Sequence, residues 1–360
     1  MNEHSKLPPS SAARRIACPG SRKMEELYPR EESDSAKEGT FAHSICSMML
    51  QTNTLPDGLD KDMVGFCELY ADYVLNTLIK AKEKNPYVDL HIEEKVDISN
   101  IHPQCWGTPD AWFMTSTDLH VFDFKYGFKA VEVYENYQLL EYAFGILGDN
   151  KDVSYIHMHI VQPRAMHREG PIRVWRIGRD VLEEYRDKIK QAEYLAMQDL
   201  APLDPSSQCA NCKARHACPA LQSTLLNHLN VFESNMPSEL NDTELGNELR
   251  LLHHCAKLLD ARVTALEEEA IAKLKGGKRV PFYELGEVQS RERWKKSIEE
   301  VLAMGDLFDV DLGKPREAIT PKQAIKAGVP MNIVREYSET PRGAVKLQPI
   351  NELKLKEIFK

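Results

Sequence analysis

Residues 106–126 read WGTPDAWFMTSTDLHVFDFKY, and the reading of this stretch decides the fold. The runs Asp110 to Met114 and Leu119 to Phe124 flank the polar turn Thr115-Ser116-Thr117-Asp118, the pattern of a β-hairpin. Asp110 opens the first strand; Asp123 and Lys125 stand near the end of the second. The period of two puts Asp123 and Lys125 on one face of the sheet and Phe124 on the other. Two carboxylates converging beside a lysine make a small site able to hold a cation and to position a base. The same alternation also arises in a plain ion pair on a half-solvated strand, so the flanking sequence has to separate the two.

Outward from the hairpin, Val88 to Ile98 (VDLHIEEKVDI) reads as a strand leading into it. Glu93 and Glu94 fall on opposite faces of that strand, so one of them can look toward the site. Lys37 to Leu50 reads as an amphipathic helix opened by Gly39-Thr40, with His43 early on it and Phe41, Ile45, Met48 and Met49 as its apolar positions. Residues 61–84 make a longer amphipathic helix, and Cys46 and Cys67 read as core thiols. Beyond the hairpin, Val133 to Leu147 is a helix that places Gln138 and Tyr142 on one face. Residues 153–161 and Ile172 to Ile177 alternate as strands, and 179–198 form a helix with a charged side. Near the N-terminus, Ser10 or Ser11 caps a short helix that Cys18-Pro19-Gly20 ends. This order predicts an α/β core with a central mixed sheet flanked by helices.

The chain has 360 residues, enough for a large core domain plus an accessory one. Its 42% hydrophobic and 28% charged content is that of an ordinary soluble protein. A formal charge of −9 argues against wholesale wrapping of nucleic acid, yet leaves room for a local basic groove. No segment approaches the ~20 apolar residues needed to span a bilayer, and the N-terminus lacks the apolar core of a secretory signal. The expected location is the cytoplasm, where eight cysteines are thiols or metal ligands rather than disulfides.

Residues 209–218 read CANCKARHAC, a C-x2-C-x5-C cluster after a turn-rich segment. Three cysteines this close in a cytosolic chain point to a metal centre. Zinc needs a fourth ligand, which His216 or one of the distant cysteines can supply. An iron–sulfur cluster needs four thiolates. Spacing alone does not choose between them.

Taken in order, His43, Gly107-x-x-Asp110, Asp123-x-Lys125 and Gln138-x3-Tyr142 resemble the motifs of the RecB-like branch of the PD-(D/E)XK nucleases. Cys18 ahead of these motifs, with Cys209, Cys212 and Cys218 behind them, resembles the iron–sulfur subgroup of that branch. That subgroup holds the exonucleases of CRISPR adaptation and the AddB helicase–nuclease subunit; the chain also looks like a phage- and prophage-encoded family of this kind. The motifs keep the family's order over residues 10–220. Two departures stand out: Gly-Thr-Pro precedes Asp110 where the signature has Pro alone, and Asp123 stands where many relatives have Glu.

The resemblance implies a restriction-endonuclease-like core and a Mg²⁺- or Mn²⁺-dependent deoxyribonuclease, an exonuclease acting in phage DNA replication, recombination or repair. His43, Asp110, Asp123 and the Phe124 carbonyl would hold the cation. Lys125 would orient or deprotonate the attacking water, with burial and the neighbouring acids pulling its pKa in opposite directions. Gln138 and Tyr142 would contact DNA phosphate or brace the metal ligands. Cys18, Cys209, Cys212 and Cys218 would hold one [4Fe–4S] cluster, with zinc as the alternative, and staple the two ends of the domain. The implied partners are DNA, single-stranded or carrying an end, and a phage recombinase or single-strand-binding protein; a membrane is not among them. A non-catalytic zinc-binding adaptor and an inactive nuclease scaffold are the competing readings.

Past residue 225 the resemblance stops, which divides the chain into a nuclease domain (1–225) and an α-rich accessory region (226–360) for DNA or partner binding. There Thr243 is expected to cap a long helix running to about Lys275 and ended by Gly276-Gly277. Residues 278–296 read as strand-like and basic with interleaved aromatics, a pattern that suits single-stranded DNA as well as an exposed hairpin. Residues 297–305 and 320–337 read as helices, and the tail from Thr340 as partly extended.

Overall fold

The alternation of the hairpin carries through a whole sheet. The computed structural model describes residues 5–28, 34–52, 55, 58–233 and 240–285. In chain order these form α1 (Ala12–Ala17), α2 (Ser21–Leu27), α3 (Asp34–Thr52), α4 (Lys61–Lys82), β1 (Leu90–Ile92), β2 (Val96–Asp97), β3 (Trp106–Gly107), β4 (Ala111–Met114), β5 (Asp118–Phe124), α5 (Tyr137–Leu147), β6 (Tyr155–Val161), β7 (Ile172–Gly178), α6 (Arg179–Ala196), α7 (Pro219–Glu233) and α8 (Asp242–Lys275). Five strands make one sheet in the order β1-β4-β5-β6-β7, while β2 and β3 pair separately. β4 and β5 are the antiparallel arms of the hairpin, with Ala111 opposite Phe122 and Met114 opposite Leu119. β5 and β6 run parallel, as two strands joined by the α5 crossover must, and the other pairs in this sheet are antiparallel. The sheet is mixed and flanked by helices, as expected.

Burial on both faces explains the composition of the strands. Phe113, Phe122 and Phe124 point into one core, beneath Ile45 and Met49 of α3 and Tyr70 and Val74 of α4. Leu119, Val121, Ile156 and Met158 point into the other, beneath Leu139, Leu140 and Phe144 of α5 and Leu182 and Ile189 of α6. Cys46 and Cys67 are core thiols.

Several elements differ from the expected ones. Val88 to Ile98 is not one strand: Glu93 adopts φ 52°, a left-handed conformation that breaks β1 from β2. Gly39-Thr40 does not open α3, which starts a turn and more earlier at Asp34. α5 begins after Asn136, whose side chain caps it by accepting the Leu139 N–H. α8 is capped by Asn241 rather than Thr243, and Glu244 completes the capping box. Of the stretch 278–296, residues 278–285 hold only an isolated bridge between Val280 and Tyr283. The remainder of that stretch, the helices expected at 297–305 and 320–337, and the tail lie outside the described residues.

The chain divides into two compact units, Met1–Leu285 and Gly286–Lys360. The boundary expected at 225/226 falls inside α7, and α8 belongs to the first unit. Its buried Leu258, Ala261 and Ala265 seat it there, Arg215 pairs with its Glu268 at 2.6 Å, and its Arg262 donates to the carbonyls of Arg215 and His216.

A buried ion cluster fastens the N-terminal segment. Arg15 of α1 lies 2.6 Å from Glu193 of α6 and 3.5 Å from Glu141 of α5, all three almost fully buried. Burial and the Glu193 charge push the Glu141 carboxyl well up, and Arg15 makes its shortest contact with Glu193. Removing the guanidinium strands a buried negative charge. Arg15→Ala should therefore cost roughly 3–5 kcal/mol of stability, read by urea unfolding; a cost near zero would show that the cluster is not closed.

Candidate active site

The site forms where β4, β5, α3 and α5 meet. Asp110 stands immediately before β4, and one of its oxygens, Oδ2, accepts the Phe124 backbone N–H at 2.6 Å. That bond draws the first acid to the end of β5. Its other oxygen, Oδ1, lies 2.9 Å from His43 Nδ1 on α3. Asp123 and Lys125 share a face, as the period of two requires, and meet α5. Lys125 Nζ donates to Asp123 Oδ1 at 3.0 Å and to Gln138 Oε1 at 3.1 Å, and Gln138 Nε2 donates to Asp123 Oδ1 at 3.0 Å. Asp123 Oδ2 also lies 3.0 Å from Lys125 Nζ, yet it is buried and has no hydrogen-bonding partner among the described residues. The Lys125 charge therefore offsets the burial of this oxygen while leaving its lone pairs open to a further ligand. Phe124 turns its ring to the opposite core, against Tyr70 and edge-on to His43.

Tyr142 is buried and works on the backbone. Its hydroxyl donates to the Thr108 carbonyl at 3.1 Å, fixing the turn that presents Asp110. Gly107 permits the approach, because a Cβ there would come within 2.9 Å of the Tyr142 ring and 2.8 Å of Pro9. Of the two roles expected for Gln138 and Tyr142, the bracing one fits this geometry: Gln138 braces Asp123 and Lys125, and Tyr142 braces Asp110.

Glu93 is the ligand candidate missing from the sequence-derived set. A carboxylate oxygen of Glu93, one of Asp110 and a nitrogen of His43 lie within 4.8 Å of one another, the one such metal-sized triad among the described residues. The left-handed turn at Glu93 aims it there, and its N–H donates to the Asp110 carbonyl at 3.2 Å. The signal in the sequence was the Glu93-Glu94 pair at the end of β1; what it lacked was the backbone break that selects the first of the two. With residues 36–48 of α3, the triad lines an open cleft of about 750 Å³.

Electrostatics assign the protons. Burial pushes Asp123 up, opposed by Lys125. Burial lowers Lys125, but Asp123 and Asp110 outweigh it, and the net shift is upward. The two acids therefore favour the ammonium form of Lys125. His43 likewise ends above its ordinary value, because the Asp110 carboxylate overcomes burial. Desolvation and the Asp110 charge push Glu93 up to about 7.

A hard cation matches this donor set of carboxylates with one imidazole, the latter easier for Mn²⁺ than for Mg²⁺. Binding requires Glu93 and His43 to lose their protons. Because both shifts are upward, Mn²⁺ affinity should fall by about tenfold per pH unit or more below pH 7, measured by calorimetric titration between pH 5.5 and 8. Glu93→Gln should weaken binding and flatten that profile; an unchanged profile would remove Glu93 from the site.

The four cysteines of the predicted cluster also meet. Cys18, Cys209, Cys212 and Cys218 line one small pocket between α1–α2 and the segment 203–221. Gly20 allows the close approach, since a Cβ there would sit 2.7 Å from the Ala201 carbonyl. The Asp204 N–H points at Cys18 Sγ and the Ser206 N–H at Cys209 Sγ, both at 3.3 Å. Burial raises Cys18 and Cys209 and pushes Cys212 up to about 11, so these thiols keep their protons until a metal displaces them.

Fold and site together define an α/β protein with an acid–lysine cleft at the end of the central strand β5 of a mixed sheet and a separate four-cysteine pocket. Residues 4–307 match the family described as protein of unknown function (DUF2800), and the chain belongs to that family. Among solved structures, the chain is similar to an alkaline exonuclease from Laribacter hongkongensis at 12% identity and TM-score 0.25, covering 53% of this chain and 88% of that one. It is also similar to SSO0001 at 13% identity and TM-score 0.29, covering 61% and 89%. At these TM-scores neither similarity defines the fold or the chemistry, which the geometry above describes.

Proposed function

We propose that this protein is a Mg²⁺- or Mn²⁺-dependent DNA nuclease, an exonuclease that hydrolyses phosphodiester bonds in the cleft between α3 and the hairpin. The observation that carries the reading is the convergence of Asp110, Asp123 and Lys125, with the His43–Glu93–Asp110 triad beside them. A structural ion pair would need Asp123 and Lys125 alone, and gives no reason for Asp110, His43 and Glu93 to gather beside them. His43, Glu93, Asp110, Asp123 and the Phe124 carbonyl would hold the cation, which when bound lowers the pKa of water and stabilises charge on the phosphate. The protein's own contribution is positional. Lys125, kept charged by Asp123 and steered by Gln138, orients the attacking water and offsets negative charge as it develops on the phosphate oxygens. Gln138 and Tyr142 hold the acids and lysine in register.

Asp123→Ala and Lys125→Ala should each abolish cation-dependent degradation of labelled DNA, with folding retained by circular dichroism. Undiminished activity in either variant would sink the site assignment.

We further propose that the cysteine pocket holds a structural [4Fe–4S] cluster, with zinc as the alternative, because four thiols meet there, two with backbone N–H groups aimed at sulfur. Its role would be to join α1–α2 to the segment after residue 203. Anaerobically purified protein should absorb near 400 nm, and Cys212→Ser should bleach it and lower the melting temperature. A colourless, zinc-loaded wild type would overturn the iron–sulfur reading.

A further inference from the structure

We propose that Phe128 and Arg164 form a stacking platform for a nucleobase of the substrate strand, one or two nucleotides from the scissile phosphate. The proposal rests on the nuclease reading above and deepens it to a substrate class, DNA with an unpaired end. The loop that leaves β5 after Lys125 is held by buried polar side chains. Gln162, 1% exposed, donates Nε2 to the carbonyls of Gly127 and Lys129 at 2.8 Å each and accepts the Val131 N–H at 2.9 Å. Arg173, also 1% exposed, donates to the Val131 carbonyl at 2.9 Å and to Gln162 Oε1 at 2.8 Å. Two buried polar groups thus fix a surface loop.

That loop carries Phe128 with 69% of its surface in solvent. The Arg164 guanidinium sits 4.0 Å from the centre of the Phe128 ring and 4.1 Å from that of Tyr126. Arg164 also bonds Glu38 of α3 at 3.2 Å, and the neighbours of Glu38, Ala36, Gly39 and Thr40, line the cleft with His43, Glu93 and Asp110. Glu38 and His43 are five residues apart on one helix, about 7.5 Å along its axis. The platform therefore lies at the rim of the cleft.

A rigid aromatic backed by a cation offers its open side to a planar partner, and every base has such a face. The surrounding charges nearly cancel: Arg164 pairs with Glu38, Arg168 with Glu169 and His167 with Glu132, while Lys129 donates to Asn211. The grip is on the base rather than on phosphate, so its contribution is insensitive to salt, unlike counterion release. A base presents its whole face only when unpaired or at a strand end, which selects the substrate class.

The test uses full-length wild type, Phe128→Ala and Phe128→Trp with labelled single-stranded oligonucleotides, some carrying one abasic site stepped along the strand. Phe128→Ala should raise KM roughly tenfold at both low and high salt, with the change carried by KM rather than kcat, and Phe128→Trp should restore it. An abasic site at the stacked position should raise the wild-type KM and erase the difference between wild type and Phe128→Ala. A wild type that cuts DNA while Phe128→Ala matches it in KM overturns the platform and leaves the nuclease reading standing; so does a loss that vanishes at high salt. A wild type that neither binds nor cuts DNA overturns both.

Discussion

The hydrogen bond from the Phe124 N–H to Asp110 Oδ2 ties the site to the sheet. It is charge-assisted and short, and it fixes the acid before β4 against the end of β5. Everything else in the cleft is positioned from that point. Phe124 can hold the bond only because its ring is packed in the α3–α4 core, and the parallel β5–β6 pair fixes the strand on its other edge. With Asp110 so placed, His43 reaches it from α3, Glu93 from the broken end of β1, and Tyr142 supports it from below. Asp123 and Lys125 then face α5, where Gln138 meets both.

A second constraint acts at the N-terminus. The segment around Cys18 lies in no strand, and it is fastened at two places. Arg15 enters the buried carboxylate cluster of α5 and α6. The stretch around Gly20 lies against residues 201–203, with the Gly20 N–H donating to the Pro202 carbonyl. Arg14 adds bonds to Glu25 and to the Asn211 carbonyl. The sulfurs are therefore gathered by ordinary packing and hydrogen bonding, and a metal would stiffen an arrangement the chain already favours.

How much of this was legible in the sequence follows from the range of each interaction. The hairpin, α4, β6, β7 and α6 are local patterns of period two or 3.6, and they form as those patterns imply. The helix starts at Asp34, Asn136 and Asn241 were less legible, since competing polar residues nearby could serve equally well as caps. Asp123, Lys125, Gln138 and Tyr142 could be placed on faces by spacing. Glu93 could not, because its role depends on one left-handed residue that no composition signal marks in a non-glycine position. The direction of the Lys125 shift is likewise not legible from sequence, since burial and the neighbouring acids oppose each other there and the folded arrangement decides between them.

The sequence by itself determined the α/β class, the pairing of acid with lysine on one strand face, and the three-cysteine run Cys209, Cys212 and Cys218, because each follows from short-range periodicity and residue type; that Cys18 joins them was implied only by the family resemblance. Tertiary structure alone decided that Tyr142 braces backbone, that Glu93 joins His43 and Asp110, that α8 packs with the unit holding the site, and that Phe128 stays in solvent over Arg164. Those outcomes depend on contacts between residues distant in the chain, and side-chain period carries no information about which distant surfaces will meet.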